Sequence, residues 1–194
     1  MNRVLRGKFH TASAAFLLGI LFNAPTSGSS NKEIEVKVRH DGGRIVIYVT
    51  FLVPVMPQQA WAVLTDFDNI PSFISGVQFS KVISRTGNNL YVSQRGITKY
   101  GFLSYTFDSV GEVNLSPFNK IHERMVSGSL HEMEETTTLL QESNQTRINY
   151  HADIVPGHWI PGFAGKFFIE NDARERFLQM KNEMIRRYLP APRN

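Results

Sequence analysis

The sequence predicts an α+β domain: an antiparallel sheet of about seven strands with one long C-terminal helix packed across it, and two short helices after the first long strand. Three observations predict it. Short runs of strand-like texture succeed one another from residue 77 to 155, separated by turn chemistry rather than by long crossovers. Residues 163–188 carry an apolar stripe at three- and four-residue steps. The helical patterns are segregated from the strand patterns, as α+β folds require.

The first residues stand apart from that domain. Arg3, Arg6 and Lys8 precede an apolar run over 12–22, "ASAAFLLGILF", and then the small, polar "NAPTSGSSNK". That order is the one of a secretory signal. The run is about half of the ~20 residues needed to span a bilayer. The expected organisation is a signal peptide over 1–30, one domain over 31–190 and a tail over 191–194. Export, to a bacterial periplasm, is the expected localisation. Removing the three basic residues lowers the formal charge from +4 to +1. No basic excess then remains to attract nucleic acid. The chain has no cysteine, which excludes disulfides, thiol catalysis and iron–sulfur clusters. A chain of 194 residues is long enough to bury a core without them.

Taken in order, "EIEVKVRH" alternates apolar and charged residues and reads as a half-exposed strand. "DGG" at 41–43 is a hairpin signal. In "RIVIYVTFLVPV", Ile45, Ile47, Val49, Phe51 and Val53 share one face of a long strand. "MPQQAWAVLTDF" is a short helix: Pro57 suits its first turn, and Ala60, Trp61 and Leu64 fall on one side. "NIPSFISGV" offers a second helical turn, with Asn69 as cap, Pro71 at its start and Gly76 ending it left-handed. Strands are then predicted over 77–85, 90–99, 102–115, 120–128, 132–142 and 146–155. Between them lie "TGNN", a turn over 99–101, "SPFN", "GSL" and "ESNQ". A Pro/Gly corner, "PGHWIPGF", leads into the long helix, whose remaining surface Glu170, Arg174, Glu175, Lys181 and Arg187 cover.

Candidate chemistry is sparse. Asp66 and Asp68 flank Phe67 at a helix end, where carboxylates commonly bond to local backbone N–H groups. They are expected to cap rather than to act as an acid/base pair. "HEMEE" at 131–135 lacks the second His of a zinc motif. Strand alternation separates His131, Met133 and Glu135 from Glu132 and Glu134, so the segment reads as a charged, solvated strand start. His122, His151 and His158 are general-base candidates, but no coherent catalytic set surrounds any of them in the sequence. No serine has a nucleophile-elbow context, and no glycine loop cradles phosphate. Neither a catalytic set, nor a metal site, nor a cofactor is expected.

Residues 60–77, "AWAVLTDFDNIPSFISGV", resemble the "VWxVLTDYxNxPxFxPG" pattern that follows the first strands of START-like (SRPBCC) proteins. The resemblance is nearest to the polyketide cyclase/dehydrase and coenzyme Q-binding group. "MKNEMIRR" is similar to the closing helix of exported bacterial members. The likeness covers about 33–189 and departs from the pattern at Ser75, where a proline is common. It implies a helix-grip fold, with a hydrophobic cavity between the sheet and the C-terminal helix. Fold alone does not choose among the functions of such a family.

The expected function is binding, and with it transport, of a hydrophobic molecule such as a lipid or isoprenoid quinone. The candidate lining residues are Phe73, Tyr105, Phe107, Met125 and Tyr150 before the corner, His158 within it, and Phe163, Phe167, Phe177, Met180 and Met184 on the last helix. Methionine supplies adaptable walls. The expected partners are this small molecule and, transiently, a membrane. No nucleic-acid partner is expected, and the chain is expected to be monomeric. Two alternatives stand beside this reading. One is a cyclase/dehydrase-type enzyme using His158, Tyr105 or Arg95, which requires a buried, pKa-shifted group beside the cavity. The other is a protein-interaction module.

Overall fold

The structure is a computed structural model that describes residues 34–100, 103–157 and 162–189, all within one compact unit spanning 32–194. Side chains at 98–100, 103, 105 and 162–164 lie outside this description. So do the predicted signal segment, residue 101 of the predicted turn at 99–101 (whose first two residues continue the strand before it), the centre of the "PGHWIPGF" corner and the tail.

Among the described residues, eight strands form one antiparallel sheet. They are β1 (Glu35–Asp41), β2 (Arg44–Val53), β3 (Val77–Thr86), β4 (Asn89–Tyr100), β5 (Leu103–Ser116), β6 (Lys120–Gly128), β7 (Glu132–Glu142) and β8 (Gln145–Val155). Their spatial order is β1-β2-β8-β7-β6-β5-β4-β3. The turn between β1 and β2 is the two-residue hairpin expected of "DGG": Gly42 and Gly43 hold φ of 54° and 86°, which only glycine adopts freely. Strands β3 to β8 form a meander, and β8 returns to pair with β2 through Ile45↔Ile154 to Val53↔Thr146.

Helix α1 (Pro57–Leu64) and a 3-10 helix (Phe67–Ser72) connect β2 to β3. Pro57 stands at the start of α1, and Ala60, Trp61, Val63 and Leu64 are buried. The 3-10 helix differs from the expected turn. It begins after Asp66 and takes Pro71 inside it, and Asn69 does not cap it. Gly76 is not left-handed. A side chain there would meet the Ile97 carbonyl at 3.0 Å, so close backbone approach, not φ, favours glycine.

Helix α2 (Gly162–Tyr188) packs over the sheet, closest to β1, α1 and β2. The core is continuous between these layers. Phe51, Val53, Val63 and Met184 are all but inaccessible, and α2 buries Ala173 with them. The expected polar cover of α2 needs correcting, because Lys181 is 5% exposed. Its position between Met180 and Met184 carries it inward along the stripe, and burial lowers its pKa. Among the described residues, no helix is long and apolar enough to cross a membrane.

Candidate functional site

The alternation of β5 to β8 decides what faces α2. On β5 the inward positions are Phe107, Ser109, Gly111 and Val113; on β6 they are Ile121, Glu123 and Met125. On β7 they are Glu135, Thr137 and Leu139, and on β8 Ile148, Tyr150 and Ala152. Most of these suit a core. Two carboxyls do not. Glu123 is 8% exposed, and its cross-strand partner is Glu135. Residues paired in this way hold their side chains about 5 Å apart at the Cβ.

Around this pair the fold supplies three things. The Tyr150 hydroxyl donates to Glu135 Oε2 at 2.7 Å. Gly111 leaves room on the neighbouring strand: a Cβ there would lie 2.0 Å from Glu123 Oε1. From α2, Arg176 faces the pair, with its guanidinium over the Phe107 ring at 5.2 Å and its Nε bonded to Asp172 at 2.8 Å. Burial, and then the neighbouring Glu135, push the Glu123 carboxyl up to about 8. Burial also raises Glu135, against the Tyr150 hydrogen bond and Arg176. Tyr150 is held well above its usual range by burial. At neutral pH the pair therefore retains at least one proton.

Sequence reasoning missed this pair. It took "HEMEE" for a solvated strand start, whereas Glu135 turns inward beneath α2. His122 and Glu134 do face the other side: His122 Nδ1 lies 3.1 Å from Thr136 Oγ1, and its Nε2 3.5 Å from Glu134. His151 packs on Tyr48 and approaches Asp153 on that same outer face. Arg95 is exposed, with its guanidinium over the Phe79 ring at 5.1 Å.

The predicted lining residues fall into four groups. Phe107, Met125, Tyr150, Phe177 and Met180 are half-buried. The Phe177 ring bridges Tyr150 at 4.8 Å and Phe51 at 5.8 Å. Phe73 is also half-buried, beneath the Arg187 guanidinium at 5.3 Å. Met184 is sealed in the core, and Phe167 is 58% exposed. His158 and the side chains of Tyr105 and Phe163 lie outside the described residues.

The acidic stretch after α1 is structural, though not by local capping. Asp66 accepts from Asn69 and Arg187, each at 2.7 Å. Asp68 accepts from the Val82 amide at 2.7 Å and pairs with Lys81. The Lys81 hydrogen bond, and then the Val82 amide, lower its pKa. At the departure from the family pattern, the Ser75 amide donates to Gln179 Oε1 at 2.7 Å, and Gln179 Nε2 donates back to Ser75 Oγ at 2.8 Å. A proline could not make the first of these bonds.

A separate cavity of about 520 Å³ opens where β1 begins. Ile34, Val36, Phe51, Leu52, Arg147 and Arg174 are among the residues lining it. None of the predicted lining residues is among them. Its arginines are engaged, Arg147 by Glu142 and Arg174 by the Ile34 carbonyl. Among the described residues, no group of three or more metal-ligating side chains forms.

A curved antiparallel sheet gripping one long C-terminal helix, with two short helices between β2 and β3, is the architecture of START-like proteins. Solved structures with the same fold include the STAR-related lipid transfer protein of Xanthomonas axonopodis, fragment 25–204. It is 12% identical, with coverage of 79% of this chain and 94% of that one and a TM-score of 0.67. The Zhui aromatase/cyclase of Streptomyces sp. R1128 is 12% identical, with 77% and 98% covered and a TM-score of 0.65. A START superfamily protein of Mycobacterium smegmatis is 11% identical, with 73% and 97% covered and a TM-score of 0.64. Identities this low speak for the fold alone. No curated protein matches the sequence. Residues 53–181 match the family described as "Polyketide cyclase / dehydrase and lipid transport", and the chain belongs to that family.

Proposed function

We propose that this domain binds a hydrophobic small molecule, such as a lipid or isoprenoid quinone, between α2 and the inward face of the sheet. One observation carries the reading. Large apolar side chains on both facing surfaces, among them Phe107, Tyr150, Phe177 and Met180, pack on the core yet remain half-buried. A dry two-layer core would close over them, as it does over Phe51 and Met184. Family membership supports the same reading. The basic and apolar N-terminal pattern supports export, and a periplasmic carrier is the form of the proposal that unites the two.

The test is native purification followed by extraction and mass spectrometry. A defined lipid or quinone at near-equal stoichiometry is expected. Protein that is consistently empty and takes up neither lipids nor quinones would overturn the proposal. Fractionation tests export separately.

A second reading, a cyclase/dehydrase-type enzyme on an apolar substrate, is favoured by the pair of buried Glu123 and half-buried Glu135, since such chemistry needs a titratable group inside the site. It predicts that a co-purifying molecule changes mass on incubation, and that Glu135→Gln abolishes the change. An unchanged ligand in the native protein would sink it.

A further inference from the structure

We infer that Glu123 and Glu135 form the polar end of the ligand site and take an uncharged oxygen-bearing group, a hydroxyl or carbonyl, at the head of an apolar molecule. This rests on the binding reading above and names the class of head group.

Glu135 is served by Tyr150, whereas the Glu123 carboxyl, buried to 8% exposure, has no hydrogen-bond partner among the described residues. Among the described residues no fully sealed side-chain oxygen lacks a partner, so the Glu123 carboxyl keeps a little accessible surface, and a ligand oxygen can bond to it there. The carboxyl is held over Gly111, on a face shared with Phe107 and Met125, so what reaches it arrives among apolar walls.

Charge then selects the head group. One proton shared by the pair leaves one negative charge, and Arg176 faces it from α2. His122 and Glu134 turn to the opposite side of the sheet and answer each other there. A phosphate or carboxylate head would bring a further negative charge against desolvated carboxyls. An ammonium head would find that one charge already answered by Arg176 and would need the pair fully ionised. A neutral hydroxyl or carbonyl accepts from the protonated carboxyl, and a hydroxyl also donates to its partner, with no change of charge.

The test uses the full chain and a fluorescent apolar probe, N-phenyl-1-naphthylamine, displaced by molecules with one common dodecyl tail: dodecanol, 2-dodecanone, dodecanoate, dodecyl phosphate and dodecylammonium. Near neutral pH the alcohol and ketone are expected to displace the probe at concentrations about tenfold lower than the two anions, the worth of one hydrogen bond to a buried group. Glu123→Gln keeps that ranking, because it keeps a donor and an acceptor. Glu123→Leu, compared at equal probe occupancy, loses the ranking. Equal or tighter binding of the anions or of dodecylammonium overturns the inference, as does an unchanged ranking in Glu123→Leu. If neither probe nor any of the five compounds binds, the binding reading itself fails, which separates the two failures.

Discussion

Asp66 and Arg187 stand 121 residues apart in the sequence and 2.7 Å apart in the fold. The ion pair ties the end of α1 to the last turn of α2. Glu183 joins it, accepting from Arg187 Nε and Arg186 Nε, each at 2.6 Å. The Arg187 guanidinium also covers Phe73. One planar cation thus serves two carboxylates and a ring.

Arg187→Ala is therefore expected to lower stability by about 2 kcal/mol, below the cost of breaking a fully buried pair. Thermal denaturation should show a drop in Tm of roughly 4–8 °C for a domain of this size. Arg187→Lys should recover less than half of it, because a lysine cannot present a fork to Asp66 and Glu183 together. Full recovery by lysine would show that charge alone matters here.

The two unusual carboxyls should tilt stability against pH in opposite directions. Arg186, and then Arg187, hold Glu183 down to about 2, against an ordinary value of 4.5. Its contribution is present above 4.5 and lost as pH falls toward 2. Arg186 is 71% exposed, so solvent screening leaves this at about 1 kcal/mol. Glu183→Gln should flatten the acid limb of a Tm–pH profile. Glu123, raised from 4.5 to about 8, works the other way. Its penalty is absent below 4.5 and grows until pH passes 8. Glu123→Gln should match the native chain in acid and exceed it by about 2 kcal/mol in mild alkali. A constant difference across the profile would contradict the assignment.

Gly96 and Gly111 should respond differently to alanine. At Gly96 a Cβ would meet the Gly76 carbonyl at 2.1 Å and the Phe107 ring at 2.5 Å. Backbone cannot yield cheaply, so Gly96→Ala should cost about 3 kcal/mol or more. At Gly111 the nearest obstacle is the Glu123 side chain. Gly111→Ala should cost about 1–2 kcal/mol, and less in a Glu123→Ala background, a coupling that a double-mutant cycle measures. Simple additivity would place the Glu123 carboxyl elsewhere.

The strands were legible because their signals are local. Glycines at 42 and 43 fix the β1–β2 hairpin, and period-two order with short gaps fixes the meander from β3 to β8. Partners remote in sequence were not legible. Nothing near Asp66 announces Arg187, and so the aspartates read as caps. The acidic pair was half legible: Glu123 shares its parity with Ile121 and Met125, and Glu135 with Thr137 and Leu139. Alternation puts each on the face of its apolar neighbours, while charge argues for water, and nothing local to either strand decides between the two. In a two-layer domain the helix decides such cases, because it covers the face on which those residues stand.

The order β1-β2-β8 has a kinetic consequence. Hairpins from β3 to β8 close short loops, whereas the seam between β2 and β8 joins distant chain segments. The Thr50 hydroxyl donates to Asn149 Oδ1 across a separation of 99 residues. Loop-closure entropy grows with such a span, and non-local pairing slows folding. Assembly is thus ordered: a meander that can form from local contacts, then capture of the β1–β2 hairpin along one edge. Until that capture, the β8 edge offers unpaired backbone groups to any neighbouring strand.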